Sequence, residues 1–220
     1  MAQITAFVSE KGGVGKSTGV QNMAVARARR EKRVLILDAD PQRTTDKWAK
    51  RRTLAGISPA ILCIEATARD LPKHLEKYDE LFDEILIDTG GADSTEMRLA
   101  LTFADVIVCP CQPSQADIET LETINALLSK TKKERPEVRA HIATFMAPTN
   151  ANSTDAQEMQ EFCGMFDNLP ILNTIVRYRK AYKTALRDGL GVIELPTNDA
   201  TVKAIAEMQQ LEQEIWNEQA

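Results

Sequence analysis

Short apolar runs alternate with segments of helical spacing along most of the chain, and no internal repeat or interdomain linker interrupts the series. The apolar runs predict strands at 4–8, 60–64, 105–110, 139–146 and 171–176, with two more inside 34–42 and 84–91. The segments between them predict helices at 16–30, 44–54, 68–78, 115–132, 153–166 and 199–218. Strands and helices therefore follow one another in turn.

The strand within 34–42 starts with four consecutive apolar residues, V-L-I-L, which is typical of a strand buried on both faces of a parallel sheet. Strands that alternate with helices indicate a doubly wound arrangement, in which helices cover both faces of the sheet. We therefore expect the α/β class. The prediction is a single domain over residues 1–220, with a mainly parallel sheet of about seven to eight strands flanked by helices.

Composition adds exclusions to this picture. The hydrophobic content of 43% and the charged content of 27% are ordinary for a soluble globular protein. No apolar run approaches the ~18 residues that a membrane span requires, and the N-terminus leads directly into the first strand without a signal peptide. The last helix has a polar face rich in glutamate, which anionic lipid would repel. We expect a cytoplasmic protein with no membrane partner.

The cysteines and the net charge limit which metal ions and nucleic acids the protein can be expected to bind. Cys63, Cys109, Cys111 and Cys163 have no CxxC or zinc-type spacing, so reduced and mostly buried thiols are expected. The C-P-C pair has too few thiols for a closed metal site. A net charge of −5 argues against a protein that coats nucleic acid with its whole surface, but it leaves room for a local basic patch.

Residues 9–18, S-E-K-G-G-V-G-K-S-T, lie between the first strand and the first helix, as a phosphate-binding loop does. Its glycines let backbone N–H groups converge on an anion, and the helix adds its own N–H groups and positive end. Lys16 supplies a point charge, and the Ser17 hydroxyl supplies a ligand for Mg²⁺. The segment therefore predicts the P-loop NTPase fold.

This loop departs from the general pattern G-x-x-x-x-G-K-[ST] in one respect. Glu10 stands where the first glycine is expected, and a second lysine, Lys11, stands directly before Gly12 and Gly13. The bland interpretation of Lys11 is an exposed loop lysine.

Carboxylates follow two of the predicted strands. Asp38 and Asp40 come at the end of V-L-I-L-D-A-D-P-Q, and Asp88 ends the strand in E-I-L-I-D-T-G-G. The carboxyl ends of parallel strands are where open α/β sheets place their ligands. An apolar strand that ends in aspartate near a phosphate loop is usual in nucleotide triphosphatases, where it supports the metal. The alternative for Asp88 is an ordinary strand-to-helix turn with a capping aspartate.

The clearest basic cluster is R-Y-R-K-A-Y-K-T-A-L-R, residues 177–187, which contains no acidic residue. Its cations are Arg177, Arg179, Lys180, Lys183 and Arg187. One hypothesis is contact with the phosphate backbone of DNA, and the other is a solvated helix face. The predicted helix 44–54 is also basic, and whether Arg43, Lys50, Arg51 and Arg52 face DNA, a partner subunit or solvent stays open.

Three motifs together, K-G-G-V-G-K-S-T, V-L-I-L-D-A-D-P-Q and I-L-I-D-T-G-G, resemble the ParA/MinD family of deviant Walker A ATPases. The likeness continues less specifically through Q-P-S-Q-A-D and the segment 189–194. The short chain is similar to the small plasmid-partition ATPases of the ParF type. One departure is M-A-P-T-N, where many relatives carry an asparagine and a basic residue beside the adenine; the assignment of Pro148, Thr149 or Asn150 to the base stays open.

The resemblance implies an ATPase that uses ATP and Mg²⁺. Lys11 would match the signature lysine that reaches the partner subunit's site across an ATP-sandwiched homodimer. Asp40 would position or activate the attacking water, and Lys16 would join these two as catalytic residues. Asp38 and Asp88 would support the metal, as would Ser17. The nucleotide would be bound by Gly12, Gly13, Val14, Gly15, Lys16, Ser17 and Thr18.

The resemblance also implies a function. The protein would partition DNA: its ATP-bound dimer would hold nonspecific DNA on the nucleoid, and a centromere-binding adaptor of the ParB or ParG kind would stimulate hydrolysis. An alternative is an ATPase of the same kind that positions another cargo, such as a protein cluster or a conjugation complex. A metabolic P-loop ligase shares the fold, but it would leave the basic segment and the D-A-D-P-Q turn without an explanation.

Overall fold

The computed structural model describes residues 1–91, 93–150 and 155–216. Its strands are Gln3–Ser9 (β1), Val34–Ala39 (β2), Leu62–Glu65 (β3), Glu84–Gly91 (β4), Val106–Cys111 (β5), Arg139–Ala147 (β6) and Ile171–Arg177 (β7). Its helices are Lys16–Arg29 (α1), Thr44–Leu54 (α2), Leu71–Tyr78 (α3), Thr95–Phe103 (α4), Gln115–Glu134 (α5), Asp155–Cys163 (α6), Lys180–Arg187 (α7) and Val202–Trp216 (α8). A single turn of 3-10 helix covers Val192–Glu194.

The seven strands form one sheet in the order β3-β2-β4-β1-β5-β6-β7, and all the pairings recorded between them are parallel. The predicted α/β fold with a parallel sheet is confirmed. The chain crosses from β1 to β2 on one side and later from β4 to β5 on the other. The carboxyl end of β1 therefore lies at the point where the strand order reverses, which is where such sheets bind ligands.

Two apolar cores lie on opposite faces of the sheet. Residues of α3, α4, α5 and α6 form one core, and residues of α1, α2, α7 and α8 form the other. Along β2 the side chains alternate between them, with Leu35 and Leu37 in the first core and Ile36 in the second. This alternation explains why the strand is apolar without interruption.

The helix α4 is absent from the sequence-based prediction. Its signal was available: Met97, Ala100 and Leu101 are buried at helical spacing, and the Ser94 hydroxyl accepts a hydrogen bond from the backbone N–H of Met97 as an N-cap. The ends of other elements shift by a few residues, as is usual at fraying termini. The predicted residues 153–154 and 217–218 lie outside the described residues.

Within the described part of the chain, none of the helices combines the length and apolar composition that crossing a membrane demands. All four cysteines are free thiols, three of them buried, as expected from their spacing.

Candidate active site

A cavity of about 580 Å³ opens at the carboxyl edge of the sheet, around the ends of β1, β2 and β4. Its volume is in the range of small-molecule sites. Many of the residues that the sequence assigned to phosphate and water line it. The lining consists of Gly12, Gly13, Gly15, Lys16, Ser17, Thr18, Asp40, Pro41, Gln42, Thr44, Gly90, Gly91, Ser94, Glu96 and Met146. Val14 is different, because it is buried, so only its backbone can serve this cavity.

The loop between β1 and α1 has backbone angles that only glycine adopts easily. Gly13 has φ +78° and Gly15 has φ +106°, both in the left-handed region. A Cβ on Gly15 would also meet the ring of Phe145 at 2.7 Å. This conformation leaves a cradle of backbone N–H groups, which is what an anionic phosphate requires.

The first turn of α1 is unlike those of α4 and α5. Serines cap the latter two, because Ser94 accepts from Met97 and Ser114 accepts from Asp117. In α1 the N-cap is Gly15, no side chain caps it, and the first turn has no acidic residue. The free N–H groups and positive end of α1 are therefore available to an anion in the cavity.

Lys16 is buried at the base of the loop. Its Nζ donates to the carbonyl oxygens of Ser9 at 3.2 Å and Lys11 at 2.7 Å. Burial lowers the pKa of Lys16, while the nearby carboxylates of Asp88 and Asp40 act in the opposite direction. The ammonium group therefore lies among groups of opposite charge, and it is positioned beside the same loop that would receive the phosphates.

Asp38 and Asp88 face each other across the β2–β4 pair, in direct register. Both oxygens of Asp38 are occupied: Oδ1 accepts from the backbone N–H of Asp40 at 3.1 Å, and Oδ2 from that of Asp46 at 2.8 Å. Asp38 therefore orders the turn that carries Asp40 into the cavity. Its predicted support of a metal through water stays a prediction.

Asp88 is fully buried, and its two oxygens differ. Oδ2 accepts from the Thr45 hydroxyl at 2.6 Å, whereas Oδ1 has no hydrogen-bond partner among the described residues. Burial raises the pKa of Asp88 to about 7; the nearby Thr45 and Ser17 hydroxyls oppose the rise, and the Asp38 carboxylate adds to it. A buried carboxylate oxygen without a partner, close to a hydroxyl ligand, suits a hard cation such as Mg²⁺.

Asp40 lies half-buried at the rim of the cavity. Its Oδ1 accepts from the backbone N–H of Gln42 at 2.9 Å, which stabilises the D-A-D-P-Q turn. A Cβ on Gly90 would come within 3.7 Å of the same oxygen, so β4 closes directly against the turn. The structure thus brings Asp40, Lys16 and the glycine loop to one cavity.

Lys11 points away from its own loop. Its Nζ lies 3.5 Å from Oδ1 of Asp117, in the first turn of α5, and 36% of its side chain is exposed. The ammonium of Lys16, not that of Lys11, serves the loop of the same protomer. The predicted role of Lys11 in a partner's site stays a prediction.

Several residues around the loop were not singled out from the sequence. Gln112 donates from Nε2 to the carbonyl oxygen of Gly13 at 3.1 Å, and Thr45 binds Asp88 as described. Both Gln112 and Asp117 fall within Q-P-S-Q-A-D, a stretch that also contributes to the family likeness. Their spacing along the chain gives no sign of contact with a loop about 100 residues away.

The glycine loop also packs against β4, and this contact leads to a prediction. A Cβ on Gly91 would meet the backbone N of Gly12 at 2.5 Å and its Cα at 2.7 Å. We expect Gly91→Ala to displace the loop at a cost of about 1–3 kcal/mol, or roughly five- to 150-fold in nucleotide affinity. Fluorescent ATP binding measures this. Gly90→Ala is the comparison, since its nearest contact is the Pro41 ring at 3.2 Å; equal losses in the two variants would refute the explanation.

The basic segment 177–187 is divided between the end of β7 and α7. Two of its five cations bond to residues 28 or 29 positions away in the sequence. Arg177 donates from Nη1 to the carbonyl oxygen of Pro148 at 2.6 Å, and Arg179 forms an ion pair with Glu207 at 2.6 Å. The structure therefore engages these two arginines with the protein itself, which reduces their availability to DNA.

The other three cations lie on one exposed face of α7. Lys180, Lys183 and Arg187 are spaced three and four residues apart, and Ala181, Tyr182 and Ala185 are buried behind them. Arg187 pairs with its neighbour Asp188 at 2.8 Å, and the Nζ of Lys183 contacts the hydroxyl of Tyr178. Lys180 forms no hydrogen bond or ion pair with the described residues. This face, which we call the α7 face, is the part of the segment open to a partner.

The cationic side chains in and next to α2 contact different parts of the protein. Arg43 and Lys50 approach Glu65, at 2.8 Å and 3.9 Å, and Arg51 is exposed and donates to the carbonyl oxygen of Leu186 at 3.0 Å. Arg52 is only 1% exposed and forms a buried ion pair with Glu194 at 2.7 Å. Among the basic residues of this helix, Arg52 therefore stabilises the fold rather than offering a charge to a partner.

Comparison with known proteins shows the family. The family model described as "CobQ/CobB/MinD/ParA nucleotide binding domain" matches residues 5–192. The chain is also similar to "Maintenance of carboxysome distribution protein A" from Gloeobacter kilaueensis, with 30% identity over 198 residues. That match covers 87% of this chain and 84% of the relative.

Solved structures share the fold. The ATP complex of a variant of McdA from Cyanothece superposes with a TM-score of 0.76 at 15% identity, and covers 100% of this chain and 98% of that chain. A putative plasmid partition protein from Borrelia burgdorferi B31, bound to AMPPNP, has a TM-score of 0.69 at 15% identity, with 98% of this chain and 100% of that chain covered.

Proposed function

The chain belongs to the CobQ/CobB/MinD/ParA nucleotide-binding domain family, and from this premise we propose that it partitions DNA. Within that family it falls in the ParA/MinD group of ATPases, which use ATP and Mg²⁺. The observation that carries the proposal is the cationic α7 face, on a chain whose net charge is −5. An exposed row of cations on an acidic protein provides a local surface for an anionic polymer.

The nucleotide is assigned to the cavity at the sheet edge. The glycine loop, the uncapped start of α1 and Lys16 would bind the phosphates, with the Ser17 hydroxyl and Asp88 beside the cation. Bound Mg²⁺ would neutralise charge on the phosphate oxygens. Asp40, at the rim, would orient the attacking water.

We infer that hydrolysis is linked to a homodimer. Lys11 extends out of its own loop, and its ammonium is partly exposed beside Asp117. An ammonium supplied by a second copy would add positive charge where phosphoryl transfer develops negative charge. A shared site of this kind makes the ATP-bound dimer the state that holds DNA, and an adaptor bound at the centromere would then promote hydrolysis and release.

DNA binding in two nucleotide states tests the proposal. Anisotropy of labelled duplex DNA of random sequence should show binding with a slowly hydrolysed ATP analogue and much weaker binding with ADP. Equal affinity in both states would contradict a nucleotide-dependent switch.

The α7 face gives the matched prediction. We expect Lys180→Ala/Lys183→Ala to weaken DNA binding and to lower the slope of log affinity against log salt by about 2 per protomer, since each phosphate contact contributes roughly 0.9. Nucleotide binding should not change. Lys73→Ala/Lys77→Ala, on α3, is the control: it removes the same charge from exposed positions, and Lys77 lies over Tyr78 as Lys183 lies over Tyr178. If both pairs weakened binding equally, the effect would be one of net charge.

A second candidate is an ATPase that positions a protein cargo. The similarity to the carboxysome distribution protein favours it, at 30% identity over 87% of this chain. Both candidates use the same ATPase and the same α7 face, so they differ in the adaptor. Affinity capture with the ATP-bound protein separates them, because a partner that binds a specific DNA site supports partition and a partner within a protein assembly supports positioning.

A further inference from the structure

Three buried side chains from separate elements form a hydrogen-bonded series that ends at the candidate cation site. Gln21, in α1, donates from Nε2 to Oγ1 of Thr45 at 2.9 Å. Thr45, in α2, donates from the same hydroxyl to Oδ2 of Asp88 at 2.6 Å. All three are almost completely inaccessible to solvent, with exposures of 1%, 0% and 0%. This hydrogen-bonded series joins α1, α2 and β4 behind the cavity.

The Thr45 hydroxyl is not used to cap its own helix. The N-cap of α2 is Arg43, and no side chain caps that end. The hydroxyl instead crosses to β4, 43 residues further along the chain. A threonine near the start of a helix can bond to the local backbone, but the Thr45 hydroxyl donates to Asp88 instead.

The Asp88 carboxylate explains this contact. A carboxylate group can rotate about the bond that joins it to the rest of the side chain. The ligands of one metal ion, however, must point in fixed directions. The Thr45 hydroxyl engages one oxygen, Oδ2, and leaves Oδ1 as a buried acceptor without a partner among the described residues. The Gln21 amide donates to Thr45, so the threonine hydrogen is directed towards Asp88. One oxygen is held and the other is presented.

We propose that Thr45, oriented by Gln21, is a positioning residue that fixes the Asp88 carboxylate so that Oδ1 faces the cation of the bound nucleotide. Partners of this outer kind orient metal-supporting carboxylates in other sites, and their loss typically costs metal affinity. The inference rests on the proposed place of Mg²⁺ beside Asp88, and it does not depend on DNA partition.

The test is the Mg²⁺ dependence of nucleotide binding, measured without turnover. Binding of a fluorescent ATP analogue is titrated in EDTA and then with increasing Mg²⁺. Thr45→Val keeps the shape of the side chain and removes the hydroxyl. We expect its half-saturating Mg²⁺ concentration to rise by about 10- to 100-fold, while the affinity measured in EDTA stays the same. Thr45→Ser, which restores the hydroxyl, should return close to the original value.

Two further variants guard the conclusion. Gln21→Met leaves the Thr45–Asp88 hydrogen bond possible and removes its orienting donor, so a smaller rise than for Thr45→Val is expected, and it keeps the proposal testable if the valine variant fails to fold. Thr53→Val is the matched control: it is on the same helix, is exposed, and bonds only to the carbonyl oxygen of Ala49 at 3.0 Å.

The outcomes separate the inference from its premise. If Asp88→Asn leaves the Mg²⁺ dependence unchanged, the cation is not at Asp88 and the premise is wrong. If Asp88→Asn raises the requirement and Thr45→Val does not, the premise stands and the positioning role is refuted. A loss for Thr45→Val that is equal with and without Mg²⁺ also refutes it, because the hydroxyl would then support only the fold.

Discussion

Lys11→Ala should remain monomeric in the presence of ATP while binding the nucleotide almost as well as the original protein. The side chain of Lys11 takes no part in its own loop, since its ammonium lies beside Asp117 and Lys16 fills the base of the loop. Each protomer would lose a charge-assisted contact worth about 1.5–3 kcal/mol. A symmetric dimer loses two of them, so association should weaken by at least about 100-fold. Light scattering with a slowly hydrolysed ATP analogue measures the dimer, and fluorescent ATP measures binding.

Asp117→Asn is the control for this experiment. It breaks the same ion pair within the protomer but keeps the lysine. If Lys11 acts across a dimer, only Lys11→Ala loses the dimer, and the asparagine variant dimerises at least as well, because its lysine is no longer held by Asp117. If both variants stay monomeric, the ion pair within the protomer is what matters, and the proposed role in a second copy is wrong.

Arg52→Leu should destabilise the fold by about 3–5 kcal/mol, since breaking a buried ion pair leaves one charge without a partner. Arg52 binds Glu194 through Nη1 at 2.7 Å and Nη2 at 2.8 Å, and it also donates to the carbonyl oxygens of Pro59 and Gly189. The guanidinium thus ties α2 to the segment after α7. For a chain of this size the loss corresponds to a fall in Tm of roughly 6–20 °C. Thermal unfolding followed by circular dichroism measures it.

The neighbouring arginine provides a matched control. Arg51→Leu makes the same change one residue earlier, at an exposed side chain with one hydrogen bond to Leu186, and should alter stability by no more than about 0.5 kcal/mol. The double variant Arg52→Leu/Glu194→Leu should recover much of the loss, because no charge is left buried alone. A single variant as stable as Arg51→Leu would show that the ion pair contributes little.

Much of the fold was predictable because its signals are local. The period of apolar residues identified all seven strands, and their alternation with helices indicated a parallel sheet. The glycine loop was equally visible, since left-handed angles at Gly13 and Gly15 require that residue type at fixed spacing. The helix α4 was not predicted, although the Ser94 cap and the helical spacing of Met97, Ala100 and Leu101 are present in the sequence.

The sequence did not predict which charged side chains are available to a binding partner and which are engaged within the protein. Sequence grouped Arg177 and Arg179 with Lys180 and Lys183, yet the first two are engaged by Pro148 and Glu207. Arg52 was indistinguishable from Arg51, although one is buried and the other exposed. A charged residue has the same local signature in both situations, and only its partner decides.

The sequence by itself determined that this protein has a parallel α/β sheet with a phosphate loop and carboxylates at one edge. These features follow from the periods of strands and helices and from short motifs, which act over a few residues. The tertiary structure alone decided that Lys11 meets Asp117, that Arg52 pairs with Glu194 and that Thr45 holds one oxygen of Asp88. These contacts join residues separated by 43 to more than 140 positions. They form only because α5 packs beside the glycine loop and α2 packs against β4 and against the segment after α7.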